Sequence, residues 1–503
     1  MRDGRIQPGQ PVFERPPTTT LHFFKYSPLS LTNKNPTVII NKIGINFAFF
    51  RHKLFPKEDN TMGKYTKEDI FNMVEEEDVE FIRLQFTDMY GNLKNIAITV
   101  PQLERALNNE CMFDGSSVQG FVRVDESDMY LYPDLDTFTV FPWRPQDGKV
   151  ARFLCDVYKA DETPFGGDSR YILKKVCREA ASMGYTFDVG PELEFFLFET
   201  DEHGEVEVRT YEKAGYFDVG PMDTGENFRR DMVLTLEEMG YEVEATHHEA
   251  APGQHEIDFK YGEALMTADS LMTYKLAIRT IAKRHGMHAT FMPKPIDGID
   301  GSGMHLNMSL RKDGINIFTD MEDPHKLSQE AYYFMGGLLK HIKGMTLLLN
   351  PTINSYKRLI PGYEAPVYLS WSVQNRSPLI RIPASKGNTR IELRSPDPSA
   401  NPYIALALCL AAGLDGIKNK ILPPPEATGN LYKLNVATAE EQEIDRLPAN
   451  MGEAIKAMEE DPFVLNVLGE EYSKCYLKAK KKEWDEYCRQ VSQWEIDHYL
   501  YSC

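Results

Sequence analysis

The sequence is poor in the features that mark several protein classes. Its seven cysteines (Cys111, Cys155, Cys177, Cys409, Cys475, Cys488 and Cys503) are an odd number, widely spaced in 503 residues and without a C-x-x-C pair. That excludes a disulfide scaffold and suits reduced thiols in the cytoplasm. No run approaches the roughly 18 consecutive apolar residues of a membrane helix, so no membrane partner is expected. No G-x-x-x-x-G-K-[S/T] occurs: Gly63-Lys64 and Gly148-Lys149 lack the flanking pattern, and Gly301-Ser-Gly303 lacks the third glycine of a dinucleotide fingerprint. Positive charge is also scarce, 56 Lys+Arg against 75 Asp+Glu for a net −19, with no long basic run. A phosphate-tracking nucleic-acid binder is therefore not expected. What is present is 42% hydrophobic and 26% charged residues, enough for a large core, in a length that at roughly 150 residues per domain suits two or three domains.

Composition shifts at Met62. Residues 1–61 hold nine Lys/Arg and four Asp/Glu, a net +5, whereas the rest of the chain holds 47 against 71. This extra N-terminal segment, Pro-rich around one apolar patch without lasting periodicity, reads as a disordered tail or as sequence upstream of the true start, with translation expected to begin at Met62. An organelle leader is the sharper alternative. A short helix (67–77) then leads into two β-branched runs, 80–87 and 93–100, joined by the turn Asp88-Met-Tyr-Gly91. A Gly/Pro-rich stretch near Thr163-Pro-Phe-Gly-Gly167 places a boundary at about 160, giving domains 62–160 and 161–503.

The informative feature is a set of strand-like segments with charged or polar residues at alternate positions, which a strand places on one face. Glu192 and Glu194 alternate with Leu193 and Phe195; Glu256 and Asp258 with Ile257 and Phe259; His305, Asn307 and Ser309 with Leu306 and Met308; Arg390, Glu392 and Arg394 with Ile391 and Leu393. Like charges gathered on one sheet face repel unless a cation stands between them. Glu192, Glu194, Glu256, Glu392 and His305 together imply a metal site, and oxygen donors with one imidazole and no thiolate point to Mg²⁺ or Mn²⁺. Glu249, in Thr246-His-His-Glu249, supplies a further carboxylate, enough for two ions. Arginines near Gly/Pro-rich loops (Arg358, Arg376, Arg381, Arg390, Arg394) suit bidentate pairing with carboxylate or phosphate, so the metal site is expected to use a nucleotide held outside a P-loop.

At these residues the sequence resembles type I glutamine synthetase (glutamate–ammonia ligase), in its compact bacterial form, over nearly all of residues 62–503. The resemblance rests on unlinked motifs in order: Met112-Phe-Asp-Gly-Ser-Ser117, Gly190-Pro-Glu-Leu-Glu-Phe-Phe196, His247-His-Glu249 with Gly253-Gln-His-Glu256, Lys294-Pro295, Gly301-Ser-Gly-Met-His305, Asn350-Pro-Thr352 with Ser355-Tyr-Lys-Arg-Leu-Ile-Pro-Gly362, Gln374-Asn-Arg-Ser377 and Arg390-Ile-Glu-Leu-Arg394. It implies an α+β chain with a small N-terminal β-grasp domain and a larger catalytic domain whose curved antiparallel sheet is flanked by helices. It also implies a homo-oligomer, a dodecamer of two hexameric rings.

The resemblance implies glutamine synthesis from L-glutamate, ammonium and ATP through γ-glutamyl phosphate. Glu194, Glu249 and Glu256 are implied to hold one ion, and Glu192, His305 and Glu392 the other. Glu244, Asn307, Ser309, Arg381 and Arg390 match nucleotide contacts; Asp300, Gly301, Arg358 and Arg394 match glutamate contacts. Arg376 matches the arginine at the transferring phosphoryl group. Asp114 matches the carboxylate that binds ammonium and helps deprotonate it, and Glu364 lies on a flap, Pro361-Gly-Tyr-Glu-Ala-Pro366, that excludes water. Arg123 matches an arginine tied to glutamine feedback. One departure is Asp300, where the family pattern usually has Asn. A carboxylate cannot donate the hydrogen bond an amide gives, so glutamate affinity or pH dependence is open to change there. The rival readings are a γ-glutamyl-polyamine or γ-glutamyl-methylamide synthetase, and a non-enzymatic structural member of the family.

Overall fold

A computed structural model describes residues 63–118, 127–144, 147–208, 210, 212–433 and 444–503. The segment 1–61 and Arg123 lie outside the described residues. The first helix, Lys67–Glu76, starts where Thr66 accepts the Asp69 N–H while the Asp69 carboxylate accepts the Thr66 N–H, a reciprocal cap of two otherwise free donors. It packs on a sheet of five strands: β1 (Val79–Thr87), β2 (Leu93–Thr99), β3 (Cys111–Asp114), β4 (Asp128–Val140) and β5 (Lys149–Lys159), in the order β2-β1-β5-β4-β3. The β1–β2 turn closes because the Asp88 carboxylate accepts the Tyr90 and Asn92 N–H groups. Ile82, Leu84, Leu131 and Phe153 fill the core beneath.

The second sheet contains β6 (Thr186–Glu199), β7 (Val243–His248), β8 (Gln254–Phe259), β9 (Gly262–Glu263), β10 (Met287–Thr290), β11 (Met304–Lys312), β12 (Ile315–Asn316), β13 (Trp371–Val373), β14 (Ile380–Ile382) and β15 (Ile391–Leu393). Its path is β13-β14-β15-β11-β6-β8-β7, with β9 and β10 also on β6 and β12 on β11. The pairing is antiparallel except between β13 and β14, which run parallel. Three-residue strands rise only about 10 Å, so the short connection 374–379 can double back along them. The apolar positions of the alternating segments, Leu193, Phe195, Ile257, Leu306, Met308, Ile391 and Leu393, face one way into the main core with helices Ser169–Ser182, Ala264–Arg284, Gln329–Leu349 and Pro402–Asn419. Two of these helices touch backbone to backbone: a Cβ on Gly337 would lie 2.0 Å from the Ala412 carbonyl oxygen, and one on Gly416 2.0 Å from that of Tyr333.

Arg170 ties the two sheets together. Only 3% exposed, at the start of helix Ser169–Ser182, it bonds Asp134 on β4 and Asp156 on β5, both at 2.7 Å, and Asp269 of helix Ala264–Arg284 at 2.8 and 2.9 Å. Tyr403 donates to the same Asp269 at 2.7 Å, and Lys174 reaches Asp156 at 2.6 Å. Replacing Arg170 by Met would leave these carboxylates facing each other without their principal counter-charge. The expected outcome is a loss of about 3–5 kcal/mol in chemical denaturation; a change within error would refute the role.

Candidate active site

Register builds the site. On β6 and β8, Glu194 lies opposite Glu256 and Glu192 opposite Asp258; on β6 and β11, Glu192 lies opposite His305; on β11 and β15, Asn307 lies opposite Glu392; on β14 and β15, Arg381 lies opposite Glu392. Residues that share a face on each strand therefore become cross-strand neighbours, and one patch collects side chains from five strands. The patch is buried: Glu392 is fully covered, with Glu194, Glu256 and His305 nearly so.

Two groups of possible ligand atoms lie within 4.8 Å of one another here, Glu192–His305–Glu392 and His247–Glu256–Asp258. Glu194 and Glu249 border them, Glu194 at 3.7 Å from His305 Nε2 and Glu249 at 3.6 Å from His247 Nδ1. Burial and then the neighbouring Glu249 push the Glu194 carboxyl up to about 8. Burial, with Glu364 adding to it, raises Glu249 to about 7. Glu256 is pushed well above the carboxylate range by burial and by Glu194 and Glu192. Glu192 goes the other way: burial opposes it, but hydrogen bonds from His305 (3.0 Å) and Asn307 (2.9 Å) hold it down at about 2. Burial and Arg394 lower the His305 imidazole, keeping it in the neutral form that can ligate. Asp258 Oδ1 is buried with no hydrogen-bond partner.

Arginine fixes the other end of the patch. Glu392 accepts from Arg381 at 2.6 Å and from Arg394 at 2.5 Å. Arg390 donates to Asn307 at 2.9 Å, which in turn donates to Glu192. Arg358, 2% exposed, is directed at the backbone, donating to the carbonyls of Ser395, Pro396 and Arg394. Arg376 lies 3.4 Å from the Tyr216 hydroxyl and beside a cavity of about 410 Å³ that Tyr432 also lines. Ser309 sits further along β11, opposite Asp188, and Glu244 is exposed on β7.

The Gly301-Ser-Gly303 loop is glycine for want of room. A Cβ on Gly301 would lie 2.3 Å from the Pro293 carbonyl oxygen, and one on Gly303 2.6 Å from His305 Nε2 and 2.7 Å from Arg358 Nη2. The Gly303 N–H donates to Glu194 at 2.9 Å, so the loop orients a site carboxylate directly. Asp300 Oδ1 accepts the Glu364 N–H at 3.2 Å, a bond an asparagine oxygen makes equally well. Asp114 stands apart, exposed at the end of β3 in the first sheet, with its carboxylate bonded to Ser116 and Ser117 and joined to no residue of the patch. Those bonds, Ser116 foremost, lower its acidity range and keep it ionised.

Sequence reasoning placed Asp258 on the right face but left it out of the ligand set, and it missed His247 and Tyr216. The alternation already contained Asp258; His247 stands on β7 directly opposite Glu256, in a polar run that was not read as a strand, and Tyr216 reaches the patch through loop geometry, for which the sequence holds no signal. A third ligand-like group, Glu212–His248–His255, lies outside the patch, and three of its four ring nitrogens are taken. His248 Nδ1 faces the Glu249 carbonyl oxygen at 2.7 Å and its Nε2 the Glu212 carboxylate at 2.7 Å, so both must carry hydrogen. His255 Nδ1 faces Arg229, which can only donate, at 2.8 Å. This group is an ion-paired brace.

Residues 166–499 match the family "Glutamine synthetase, catalytic domain" and residues 78–160 the family "Glutamine synthetase, beta-Grasp domain". The chain belongs to the glutamine synthetase family. It is 60% identical over 440 residues to the glutamine synthetase of Clostridium saccharobutylicum, covering 87% of this chain and 99% of that one. It is 54% identical over 438 residues to that of Staphylococcus aureus, covering 87% and 98%. Among solved structures it superposes on GmaS in complex with ADP at TM-score 0.79, with 31% identity and coverage of 86% and 99%. Plasmodium falciparum glutamine synthetase, solved by cryo-electron microscopy, gives 0.77, 27% identity and coverage of 88% and 100%. No helix among the described residues is long and apolar enough to cross a membrane.

The crowded carboxyls give a pH prediction. Glu194 and Glu249 keep their protons to about 8 and about 7 in the fold, against 4.5 when unperturbed. Between those values the folded chain binds more protons than the unfolded chain, so stability of the metal-free protein falls as pH rises from 5 to 8. Glu256→Gln is expected to raise metal-free stability at pH 8 by about 1 kcal/mol or more while weakening divalent-ion binding. Thermal unfolding across this pH range checks the first, and calorimetric titration with Mn²⁺ the second; an unchanged unfolding midpoint would refute the crowding.

Proposed function

We propose that the chain forms glutamine from L-glutamate and ammonium, with ATP converting the γ-carboxylate to γ-glutamyl phosphate before ammonia displaces phosphate. The observation that carries this reading is the register that gathers Glu192, Glu194, Glu256, His305 and Glu392 on one face with Arg381 and Arg394 bonded to Glu392. Two ions, Mg²⁺ or Mn²⁺, are assigned to Glu194, Glu249 and Glu256 and to Glu192, His305 and Glu392; when bound, they neutralise the phosphates of ATP. The residues suit such ions: oxygen donors, one neutral imidazole, no thiolate, and an orphaned buried oxygen on Asp258.

The chain's own residues divide the remaining work. Arg381 and Arg390, with Asn307, Ser309 and Glu244, hold the nucleotide. Arg376, at the mouth of its cavity, meets the transferring phosphoryl group, where a planar cation offsets the charge spreading over three oxygens. Arg394 and the Gly301 backbone, with Asp300 beside them, hold glutamate. Arg358 braces the Arg394 to Pro396 backbone and turns its remaining donors to the same substrate. Glu364, fastened through its N–H to Asp300, closes over the acyl phosphate against water. Ammonium is not a nucleophile until it loses a proton, and the ionised Asp114 both attracts the cation and receives that proton.

Phosphate release from ATP and glutamate, compared with ammonium, methylamine and putrescine, tests the reading. Ammonium is expected to be used best, turnover to cease in excess chelator, and Glu392→Ala to lose about 10–100-fold or more of the activity. Better turnover with methylamine or putrescine would replace this reading by a γ-glutamyl-amine synthetase.

Asp114 belongs to the first sheet and the metal patch to the second, with no hydrogen bond or ion pair between them among the described residues of one chain. In this reading they meet across a boundary between chains of a head-to-tail ring, two hexameric rings making a dodecamer. Asp114→Ala and Glu392→Ala proteins are each expected to be inactive. Unfolding, mixing and refolding them should restore part of the activity, because some boundaries then join an intact Asp114 to an intact Glu392. Mixed rings, shown by mass spectrometry, that remain as inactive as either parent would sink the shared site.

A further inference from the structure

A cavity of about 1140 Å³ contains none of the residues assigned above. It lies between the β1–β2 turn at Tyr90, helix Ala264–Arg284, helix Glu470–Cys488 and the segments at Phe291 and Thr352. Its distinctive feature is charge: five cations line it against two carboxylates, Glu483 and Glu486, in a chain of net −19. Two of the five are already matched. Lys480 donates to the Pro351 carbonyl at 2.6 Å and pairs with Glu483 at 2.8 Å, and Lys482 lies 3.6 Å from Glu486.

The other three, Lys275, Arg279 and Lys478, have no carboxylate within 4.0 Å among the described residues. Lys275 is the telling one. It is 8% exposed, yet its ammonium has a single hydrogen bond, a 3.3 Å contact to the Ala400 carbonyl oxygen, so two of its three donors remain unused beside the cavity. Burial and the adjacent Arg279 push it down to about 7. Arg279 rests over the Phe291 ring, 4.9 Å from its centroid, and Lys275 lies 5.9 Å from the same centroid. Two cations held against one aromatic ring, one of them buried and under-bonded, repel each other until an anion comes between them.

We propose that this cavity is a second ligand site, which takes a small molecule carrying at least two phosphate or carboxylate groups, bound by Lys275, Arg279 and Lys478. Its wall is the reverse side of the loop that holds Gly301. Pro293 lines the cavity and its carbonyl accepts the Ser302 N–H at 2.8 Å; Asn354 lines it and is bonded to Lys294 in both directions, at 2.7 and 2.9 Å.

Calorimetric titration of the intact metal-free protein, dialysed free of chelator, with pyrophosphate and separately with citrate tests this. One molecule of at least one of the two is expected per chain, the better binder naming the anionic group. Arg279→Gln/Lys478→Gln, confirmed to keep the parent's size and circular dichroism, should bind it at least ten-fold more weakly, and so should Lys275→Met. Arg381→Gln, which alters the nucleotide arginine, should bind as the parent does. Absence of binding by either anion would overturn the proposal, as would a titration that Arg381→Gln removes and the double variant keeps.

Discussion

Repulsion between carboxylates governs this structure. Six of them, Glu192, Glu194, Glu249, Glu256, Asp258 and Glu392, crowd one face of the second sheet, where little water is available to weaken their interaction. The fold answers in three ways visible in the side-chain chemistry. Glu392 is neutralised by two arginines, Glu192 by donors from His305 and Asn307, and the remaining carboxyls retain their protons to higher pH. The first two answers are permanent. The third is provisional, since a cation can displace those protons, and that difference separates the residues that frame the patch from those that would exchange a proton for an ion.

The opposite face of the sheet makes this possible. Leu193, Ile257, Leu306 and Ile391 occupy the positions between the polar ones and lie in a core shared with four long helices. Slipping any strand by one residue would bury carboxylates among leucines and expose the leucines instead. The unfavourable charge density is therefore held in place by the same alternation that makes the core, and the contacts that set register also set ligand positions.

That coupling explains what was legible in the sequence. Two-residue alternation revealed the polar faces of β6, β8, β11 and β15, and through them the face that carries Glu192, Glu194, Glu256, His305 and Glu392. The turn at Asp88 was likewise plain from residue type. Partners outside that alternation were not legible: His247 stands opposite Glu256 on β7, the end strand of the path, whose polar run carries no clean apolar alternation, while Tyr216 beneath Arg376 and the direction of Arg358 toward backbone carbonyls depend on how segments of no regular period return to the sheet. The parallel β13–β14 pair escaped for the same reason. Asp300 shows the reverse case, where an unusual residue makes through one oxygen the bond its amide counterpart would make.

Arg170 has a consequence for motion. Its guanidinium joins β4 and β5 of the first sheet to helix Ala264–Arg284 of the second layer, and the Tyr472 hydroxyl adds a bond to the Met89 carbonyl oxygen at 2.6 Å. With such fastenings buried at the junction, the two halves of one chain cannot hinge against each other without uncovering unpaired charge. Any movement around the patch falls to short backbone segments outside these fastenings, and the parts they join move as one piece.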